Sequence, residues 1–379
     1  MSAEATLGAI ARAAGAETVR HFGASPAQLH VLRAMADCRT AAMGGHRDQC
    51  DRCGAEHTFW NSCRDRHCPG CGAEAREAWL ERRRAELLDV PYFHAVFTIP
   101  ACLRALAFAA PAVVYPILLR AAGHALLDVG LSKLGAELGV LAMLHTWTQL
   151  LTHHPHVHCV VPGGGFSPDG RRWVRLASDT FLLPVDVLSA RFETLVARAL
   201  REAFDDGALA LASSVLADRT ALDLLLARAS TTKWHVHVKP PFGGPEHVLG
   251  YLAGYTYRIG ISNHRILAFD GESVTFAYRD ATDGDAQKTM TLPATEFLRR
   301  FLLHVLPKGL VRIRAYGFLA NRDRHAKLAT ARELIGSDRI PAPRPDTPNA
   351  RLCPHCGQGT MIRRADVPPE RLRTWFDTS

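Results

Sequence analysis

The sequence has 379 residues, 47% of them hydrophobic, so it can bury a sizeable core and form two or three domains. A net charge of +8 and a pI near 9.1 indicate an acidic partner, nucleic acid first. No basic segment followed by an apolar run opens the chain, and the longest apolar stretch, Ala105 to Leu119, is too short to span a bilayer. We therefore expect a cytoplasmic protein, whose ten cysteines are metal ligands or buried thiols rather than a disulfide framework.

A cysteine-rich segment at 28–90 follows an alanine-rich, helical lead at 1–27. Two knuckles, Cys50-x-x-Cys53 and Cys68-x-x-Cys71, are each followed by glycine. The tight turn of a knuckle brings both sulfur atoms inward, and two knuckles supply the tetrahedral ligation that suits Zn²⁺. These four cysteines are predicted to hold a structural zinc ion.

This segment contains more potential ligands than one zinc ion uses. The candidates for a second ion are Cys38, His46, Cys63 and His67. Alternatively, the two thiols are buried and the two histidines are ordinary surface residues. A module of this length needs a metal ion because its own apolar core is too small to fold on.

The chain then alternates between helical and extended patterns. Glu74 to Asp89 is charged and periodic and predicts a helix, Pro91 to Pro100 a strand, and Ala112 to Val129 a further helix. Leu138 to Trp147 is predicted as a strand, and most of Val185 to Ser230 as helix.

A valine-rich strand with clustered histidines follows at 153–162, closed by a Pro-Gly turn. Side chains alternate between the faces of a strand, so His156 and His158 point the same way while Val157 enters the opposite layer. Two imidazoles on one face form half of a metal site. An isolated pair is more often an ordinary pair of histidines, but five histidines lie between His145 and His158.

A second pair with the same spacing, His235 and His237, lies on the alternating segment Trp234 to Lys239. A solvent-facing strand side explains this pair more simply. It remains the rival metal pair.

The next element, Gly250 to Arg258, is a predicted helix that begins near Pro245. At helical spacing Tyr251 and Tyr255 lie one above the other, with Arg258 on the same stripe. Such a stripe usually packs on a core. Here two glycines weaken a purely structural helix, and an arginine is awkward in an apolar core.

The rest of the chain predicts a hairpin from Arg265 to Tyr278, a helix from Glu296 to Val305 and a strand from Val311 to Tyr316. Residues 326–379 form a basic, proline-rich tail. It contains half a knuckle, Cys353-Pro-His-Cys356, which could be completed by His355 or by a distant residue; we assign no metal there.

The histidine and tyrosine motifs resemble those of the HUH-class rolling-circle transposases of bacterial insertion sequences, the branch with two tyrosines. Further segments resemble that family in the same order, so that the similarity covers roughly residues 28 to 325. These segments are Cys38–Ala42, Asn61–Pro69, Pro241–Glu246, Ile261–Asn263 and Tyr316–Asn321.

The resemblance implies an α+β fold, in which a zinc-binding, DNA-recognising domain at 28–90 precedes a catalytic domain at 91–325. That domain is an antiparallel sheet with packed helices. His156 and His158 would bind catalytic Mg²⁺ or Mn²⁺, and a polar third ligand is expected. Gln149 is our candidate, with His145 and His154 as competitors.

The family chemistry implies tyrosine attack on single-stranded DNA at element ends and target, giving a 5′-phosphotyrosine that is later rejoined. Tyr251 and Tyr255 are the expected nucleophiles, and Arg258 and Lys239 the expected DNA contacts. Tyr257 stands where the family pattern has histidine; it lies off the shared face. The alternatives are a zinc-dependent DNA-binding protein without catalysis and a replication initiator or relaxase with the same chemistry. The resemblance also implies a nucleoid-associated bacterial protein.

Overall fold

The computed structural model describes residues 5–176, 178, 181–239, 248, 250, 259–280, 282–337 and 352–370. These residues combine helices with antiparallel sheets, which confirms the α+β class. The helices are α1 (Leu7–Phe22), α2 (Pro26–Asp37), α3 (Gly72–Arg84), α4 (Arg104–Ala109), α5 (Pro111–Leu134), α6 (Val185–Asp205), α7 (Arg219–Ser230), α8 (Ala294–Leu302) and α9 (Arg324–Ile335). The strands are β1 (Gly45–Cys50), β2 (Glu56–Trp60), β3 (Tyr92–Thr98), β4 (Glu137–Trp147), β5 (His153–Pro162), β6 (Gly165–Phe166), β7 (Trp173–Val174), β8 (His235–Lys239), β9 (Ile266–Phe269), β10 (Ser273–Asp280), β11 (Ala286–Pro293), β12 (Ile313–Gly317) and β13 (Met361–Val367).

The largest sheet in the described part of the chain has seven strands in the order β7-β6-β4-β5-β3-β8, with β12 paired to β4. All of these pairings are antiparallel. The predicted strands at 91–100, 138–147, 153–162, 234–239 and 311–316 all belong to it. The sheet therefore unites segments that are more than two hundred residues apart in the sequence.

One face of this sheet forms the main core. Phe93 and Phe97 from β3 and Val157 and Val161 from β5 all have 0% of their surface exposed. Helices α5 and α6 pack against this face. Burying each such side chain contributes about 1.5–3 kcal/mol, so this face is strongly committed to the interior.

Helix α5 is the longest helix among the described residues. It begins at Pro111, whose ring suits the first helical turn, and ends at Gly135 in the left-handed conformation. It extends beyond the helix predicted at 112–129. By length and composition alone it is apolar enough to cross a membrane, and it is longer than the apolar stretch Ala105 to Leu119. Here most of its apolar residues are buried against the sheet.

The opposite face of the sheet is covered along part of its length. Leu141 and Val160 from the sheet share a buried cluster with Leu88, Phe318 and Leu328. The last of these lies on α9, a helix that the sequence patterns did not predict. The same face also carries His145 of β4 and His156 and His158 of β5.

A second sheet, in the order β11-β10-β9, packs beneath α8. Val274 and Phe276 contact Phe297 and Phe301, all fully buried. The predicted hairpin at 265–278 is present and gains β11 as an unpredicted third strand. Helices α1 and α2 join the same cluster, so the helical lead packs against a segment almost three hundred residues downstream.

The third sheet has the order β13-β1-β2. β1 and β2 form a hairpin in the cysteine-rich segment, and β13 comes from the tail. The sequence analysis predicted no strand at 361–367, where most side chains are exposed. The tail therefore returns to the amino-terminal region.

Replacing Gly317 should destabilise the central sheet. Its φ is +60°, and an added Cβ would lie 1.8 Å from the carbonyl oxygen of Leu138. We expect Gly317→Ala to cost about 2–4 kcal/mol, combining the left-handed backbone with overpacking. Gly309→Ala is the matched control, because its φ is +77° but an added Cβ has no atom within 4 Å. Thermal unfolding followed by circular dichroism compares the two; equal midpoints would contradict the predicted clash.

Candidate functional site

The sheet face opposite the main core brings together three histidines from β4 and β5. His145 pairs directly with His156, and Met143 with His158, so the three imidazoles lie on one face. One nitrogen of each ring lies within 4.8 Å of the others. The ring centroids are 4.4 Å apart for His145 and His158 and 4.7 Å apart for His156 and His158. Such a group fits a divalent cation held by imidazole nitrogens.

Hydrogen bonds orient two of these rings through Nδ1, the ring nitrogen that would not bind the metal. His156 donates its Nδ1–H to the carbonyl of His154 at 2.7 Å, which leaves Nε2 with the lone pair that a metal needs. Nδ1 of His158 lies 2.8 Å from Nε2 of His94 on β3. If His158 donates in this contact, its Nε2 is also a ligand nitrogen. His94 would then orient a metal ligand, as outer partners do in metalloproteins.

Burial favours the neutral form of two histidines of the site. Burial lowers the pKa of His156 to about 4 and the pKa of His158 well below its usual value, with neighbouring histidines adding to the second effect. Burial also lowers the pKa of His94 to about 3. Only neutral imidazole binds a metal, so these rings are ready to act as ligands at neutral pH.

The turn between β4 and β5 fixes the relative position of the histidines. Leu151 is fully buried with φ of +59°, a conformation that costs a non-glycine residue about 1–3 kcal/mol. Three side chains donate to carbonyls of this turn: Arg265 to Gln149 at 2.6 Å, Arg300 to Leu150 at 3.3 Å and His304 to Leu151 at 3.1 Å. These bonds hold the strained turn in place.

The expected third ligand, Gln149, lies outside the two strands that carry the histidine pair. It occupies an exposed position in the turn beyond β4, and its main-chain carbonyl accepts the bond from Arg265. Its side chain is beyond the end of the strand, whereas His145 lies on the strand directly opposite His156. The structure therefore favours the competitor His145. The ring of His154 is tilted by 50° against that of His156, with 5.3 Å between ring centroids, and His154 is outside the group of three.

The rival pair His235 and His237 lies on the same sheet face but two strands away. Through β3, His237 is in register with Val96 and His158, and both rival histidines are exposed. Lys239 ends the same strand and is in register with His94. The solvent-facing explanation of this pair thus agrees with the structure.

Tyr251, Tyr255, Tyr257 and Arg258 lie outside the described residues. Before them the structure describes Gly250 and Val248, and Val248 is fully buried in the cluster on the histidine face, with Leu141 and Val160. Val248 therefore lies on the side of the sheet that carries the histidines.

Four cysteines form a separate cluster near α3. They are Cys38, Cys63, Cys68 and Cys71, whose sulfur atoms lie within 4.8 Å of one another. Hydrogen bonds from the neighbouring thiols Cys63 and Cys68 lower the pKa of Cys38 to about 2. Cys71 directly precedes the first residue of α3. This set has the composition of a structural zinc site.

The structure corrects the predicted pairing of the two knuckles. Cys50 and Cys53 cluster with Cys353 and Cys356 rather than with Cys68 and Cys71. Cys50 ends β1 at the tip of the β1–β2 hairpin, whereas Cys38 and Cys63 flank the base of the hairpin, where Arg39 and Asn61 are hydrogen-bonded. A six-residue strand separates tip and base by about 17–20 Å, too far for zinc–sulfur bonds of about 2.3 Å.

The two histidines proposed for a second ion have other partners. His67 donates Nδ1–H to Asp65 at 2.8 Å, and its Nε2 accepts the main-chain N–H of Leu306 at 3.1 Å. His46 stacks on Phe59 with 5.6 Å between ring centroids. Cys353 and Cys356, to which the sequence analysis assigned no metal, belong to a cluster of four cysteines. Their Cys-x-x-Cys spacing was the feature of the sequence that could have indicated a metal site.

Comparisons with known proteins identify the family of the chain. Residues 139–327 match a family model described as "Putative transposase" (Y2_Tnp), and residues 10–99 match a "Transposase zinc-binding domain" of the IS91 type. The chain is 48% identical over 361 residues to "Putative transposase y4qJ" of Sinorhizobium fredii (strain NBRC 101917 / NGR234), covering 90% of each protein. The chain belongs to the IS91-type transposase family. It is also 27% identical over 323 residues to "Transposase for insertion sequence element IS801" of Pseudomonas savastanoi pv. phaseolicola, covering 81% of this chain and 74% of that protein. No solved structure matches it.

Membership in this transposase family confirms the resemblance drawn from the sequence motifs and makes DNA the partner. The range 139–327 includes the three histidines, and the range 10–99 includes the cluster from Cys38 to Cys71. Cys353 and Cys356 lie outside both matched ranges.

Binding of Mn²⁺ distinguishes His145 from Gln149 as the third ligand of this transposase. We expect His145→Ala to weaken Mn²⁺ binding at least tenfold, as His156→Ala should, because each removes one of three clustered nitrogens. Gln149→Ala should leave affinity unchanged. Electron paramagnetic resonance of free Mn²⁺ during titration measures each affinity. Weaker binding by the Gln149 variant alone would restore the original assignment.

Proposed function

We propose that this protein cleaves and rejoins single-stranded DNA in rolling-circle transposition, with Tyr251 and Tyr255 as nucleophiles. The observation that carries the proposal is the group of three histidine nitrogens within 4.8 Å, on the sheet face opposite the core. Family membership supports DNA as the substrate. The proposed activity is that of an HUH-type strand transferase.

His145, His156 and His158 would hold Mg²⁺ or Mn²⁺. The donor set fits such an ion, because burial keeps the rings of His156 and His158 neutral and Nδ1 of His156 is fixed by the carbonyl of His154. When bound, the cation stabilises negative charge on the scissile phosphate and the leaving oxygen. Imidazole ligands favour Mn²⁺ over Mg²⁺, so Mn²⁺ should support activity at lower concentration.

The nucleophile would be a phenol from the segment that follows Val248. The tyrosine oxygen forms a bond to phosphorus while the bond from phosphorus to the 3′ oxygen breaks. The phenolic proton is lost to solvent, and the 3′ oxygen takes up a proton to become a free hydroxyl. A 5′-phosphotyrosine remains, so the phosphodiester bond energy is kept and rejoining needs no ATP. Burial of Val248 on the histidine face supports this arrangement.

Two tyrosines give the transposase two strand ends to handle at once. While one tyrosine holds the first end covalently, the second can cleave another strand, and each free 3′ hydroxyl can attack the other phosphotyrosine. The helical spacing of Tyr251 and Tyr255 would present both to the same metal-bearing face.

Positive side chains beside the site would bind the DNA backbone. Lys239 lies on the histidine face in register with His94, where its charge helps to lower the pKa of that histidine. A lysine on this face suits a phosphate next to the scissile one. Arg258, on the predicted stripe of the two tyrosines, would contact another phosphate.

The amino-terminal module would recognise the ends of the element. The matched zinc-binding domain and the cluster of four thiols support a structural Zn²⁺ bound by Cys38, Cys63, Cys68 and Cys71. A folded metal module of this kind can present basic side chains to DNA, and the protein has a net charge of +8.

Covalent capture of labelled DNA tests the nucleophiles. Single-stranded DNA from the element ends, incubated with the protein and Mn²⁺, should give an adduct that survives boiling in detergent. The adduct should retain a 3′ label and lose a 5′ label, because the tyrosine keeps the 5′ phosphate.

Tyr251→Phe combined with Tyr255→Phe should abolish the adduct without changing DNA affinity, since each loses only a hydroxyl group. Tyr257→Phe, in the same segment, is the matched control and should form adduct normally. An adduct that persists in the double variant, or that carries the 5′ label, would refute this assignment.

A further inference from the structure

The tail pair Cys353-x-x-Cys356 has the same local structure as Cys50-x-x-Cys53. Each pair is followed by a glycine with positive φ, +72° at Gly54 and +68° at Gly357. Each glycine donates its N–H to the carbonyl of the first cysteine of its pair, at 3.1 Å to Cys50 and 2.8 Å to Cys353. Two turns of the same shape thus face each other.

Main-chain N–H groups surround the sulfur atoms of both turns. Arg52 and Cys53 direct their N–H groups at the sulfur of Cys50, each at 3.4 Å. In the tail, His355 donates to Cys353 and Gly359 donates to Cys356, also at 3.4 Å. Hydrogen bonds to sulfur favour the thiolate, the form that binds a metal.

The spacing of the four sulfur atoms matches a tetrahedral zinc site. Sγ of Cys50 is 3.8 Å from Sγ of Cys356, and Sγ of Cys53 is 3.7 Å from Sγ of Cys353. Zinc–sulfur bonds of about 2.3 Å in a tetrahedron separate the sulfur atoms by about 3.8 Å. A disulfide would need about 2.05 Å, so these distances describe ligands rather than bonded pairs.

We propose that Cys50, Cys53, Cys353 and Cys356 bind a second structural zinc ion, which fastens the tail to the amino-terminal module. The surrounding apolar cluster is small: Cys50, Cys353 and Met361 are its buried members, with Ala55, Phe59 and Cys356 partly buried. Such a core does not hold three short strands without a metal ion. The ligands are 300 residues apart across Cys53 and Cys353.

Hydrogen bonds next to the cysteine site also connect the tail to the amino-terminal module along β1 and β13. Thr360 donates its N–H to the carboxylate of Asp51 at 2.8 Å, and Asp51 donates its N–H to the carbonyl of Thr360 at 3.1 Å. From there Cys50 pairs with Met361, and the two strands run antiparallel as far as Gly45 and Val367. The zinc ion would thus clamp one end of a sheet whose outer strand comes from the tail.

Metal analysis of the full-length protein tests this site. We expect two zinc ions per chain by inductively coupled plasma mass spectrometry. The double variant Cys353→Ser and Cys356→Ser should keep only the zinc ion of the cluster near α3. The double variant Cys63→Ser and Cys68→Ser should keep only the zinc ion bound by the tail cysteines. His355→Ala, an exposed residue between the two tail cysteines, is the matched control and should keep both.

Cobalt substitution separates loss of a ligand from loss of folding. Cys356→His should still bind two equivalents of Co²⁺, because three thiolates and an imidazole also form tetrahedral sites, but its visible spectrum should shift. One zinc ion in the unaltered protein, two in the Cys353/Cys356 double variant, or an unshifted spectrum in Cys356→His would overturn the proposal. Iron in place of zinc would overturn the metal assigned.

Discussion

The pairing of β4 with β5 is the constraint on which the site depends. One face of this pair carries Val157 and Val161, both fully buried, and the other carries His156 and His158. A slip of one residue would move the valines to the histidine face and the histidines into the apolar core. Burial of the valines therefore fixes the direction of the histidines, and the clamped turn at Leu151 fixes which residue of β4 lies opposite each of them.

Burial also sets the chemistry of the histidine face. Desolvation lowers the pKa values of His94, His156 and His158, so the group carries no positive charge that would repel a cation. The same burial makes partners for the far nitrogens necessary, because an isolated polar atom in the interior is costly. The carbonyl of His154 and the ring of His94 supply these partners and orient the rings at the same time.

The sequence was informative where the chemistry is local. Alternation along 153–162 predicted the face shared by His156 and His158, and Cys-x-x-Cys spacing identified each knuckle. It could not predict partners that depend on strand register or on topology. His145 is opposite His156 only because of the β4–β5 register, and Cys53 meets Cys353 only because β13 pairs with β1. β13 escaped prediction because its exposed, charged residues show no alternation.

His67, which the sequence suggested as a zinc ligand, instead connects the zinc module to the catalytic sheet. It lies in the loop of the first cysteine cluster, and its Nε2 accepts the N–H of Leu306 from the segment that leads into β12. In the same loop Arg66 donates to the carbonyls of Leu310 and Pro307 at 2.7 and 2.8 Å. β12 in turn pairs with β4, which carries His145. The thiol cluster and the histidine site are thus joined through a short path of hydrogen bonds and one strand, so the orientation of the zinc module relative to the histidine face is set by main-chain contacts rather than by a flexible linker.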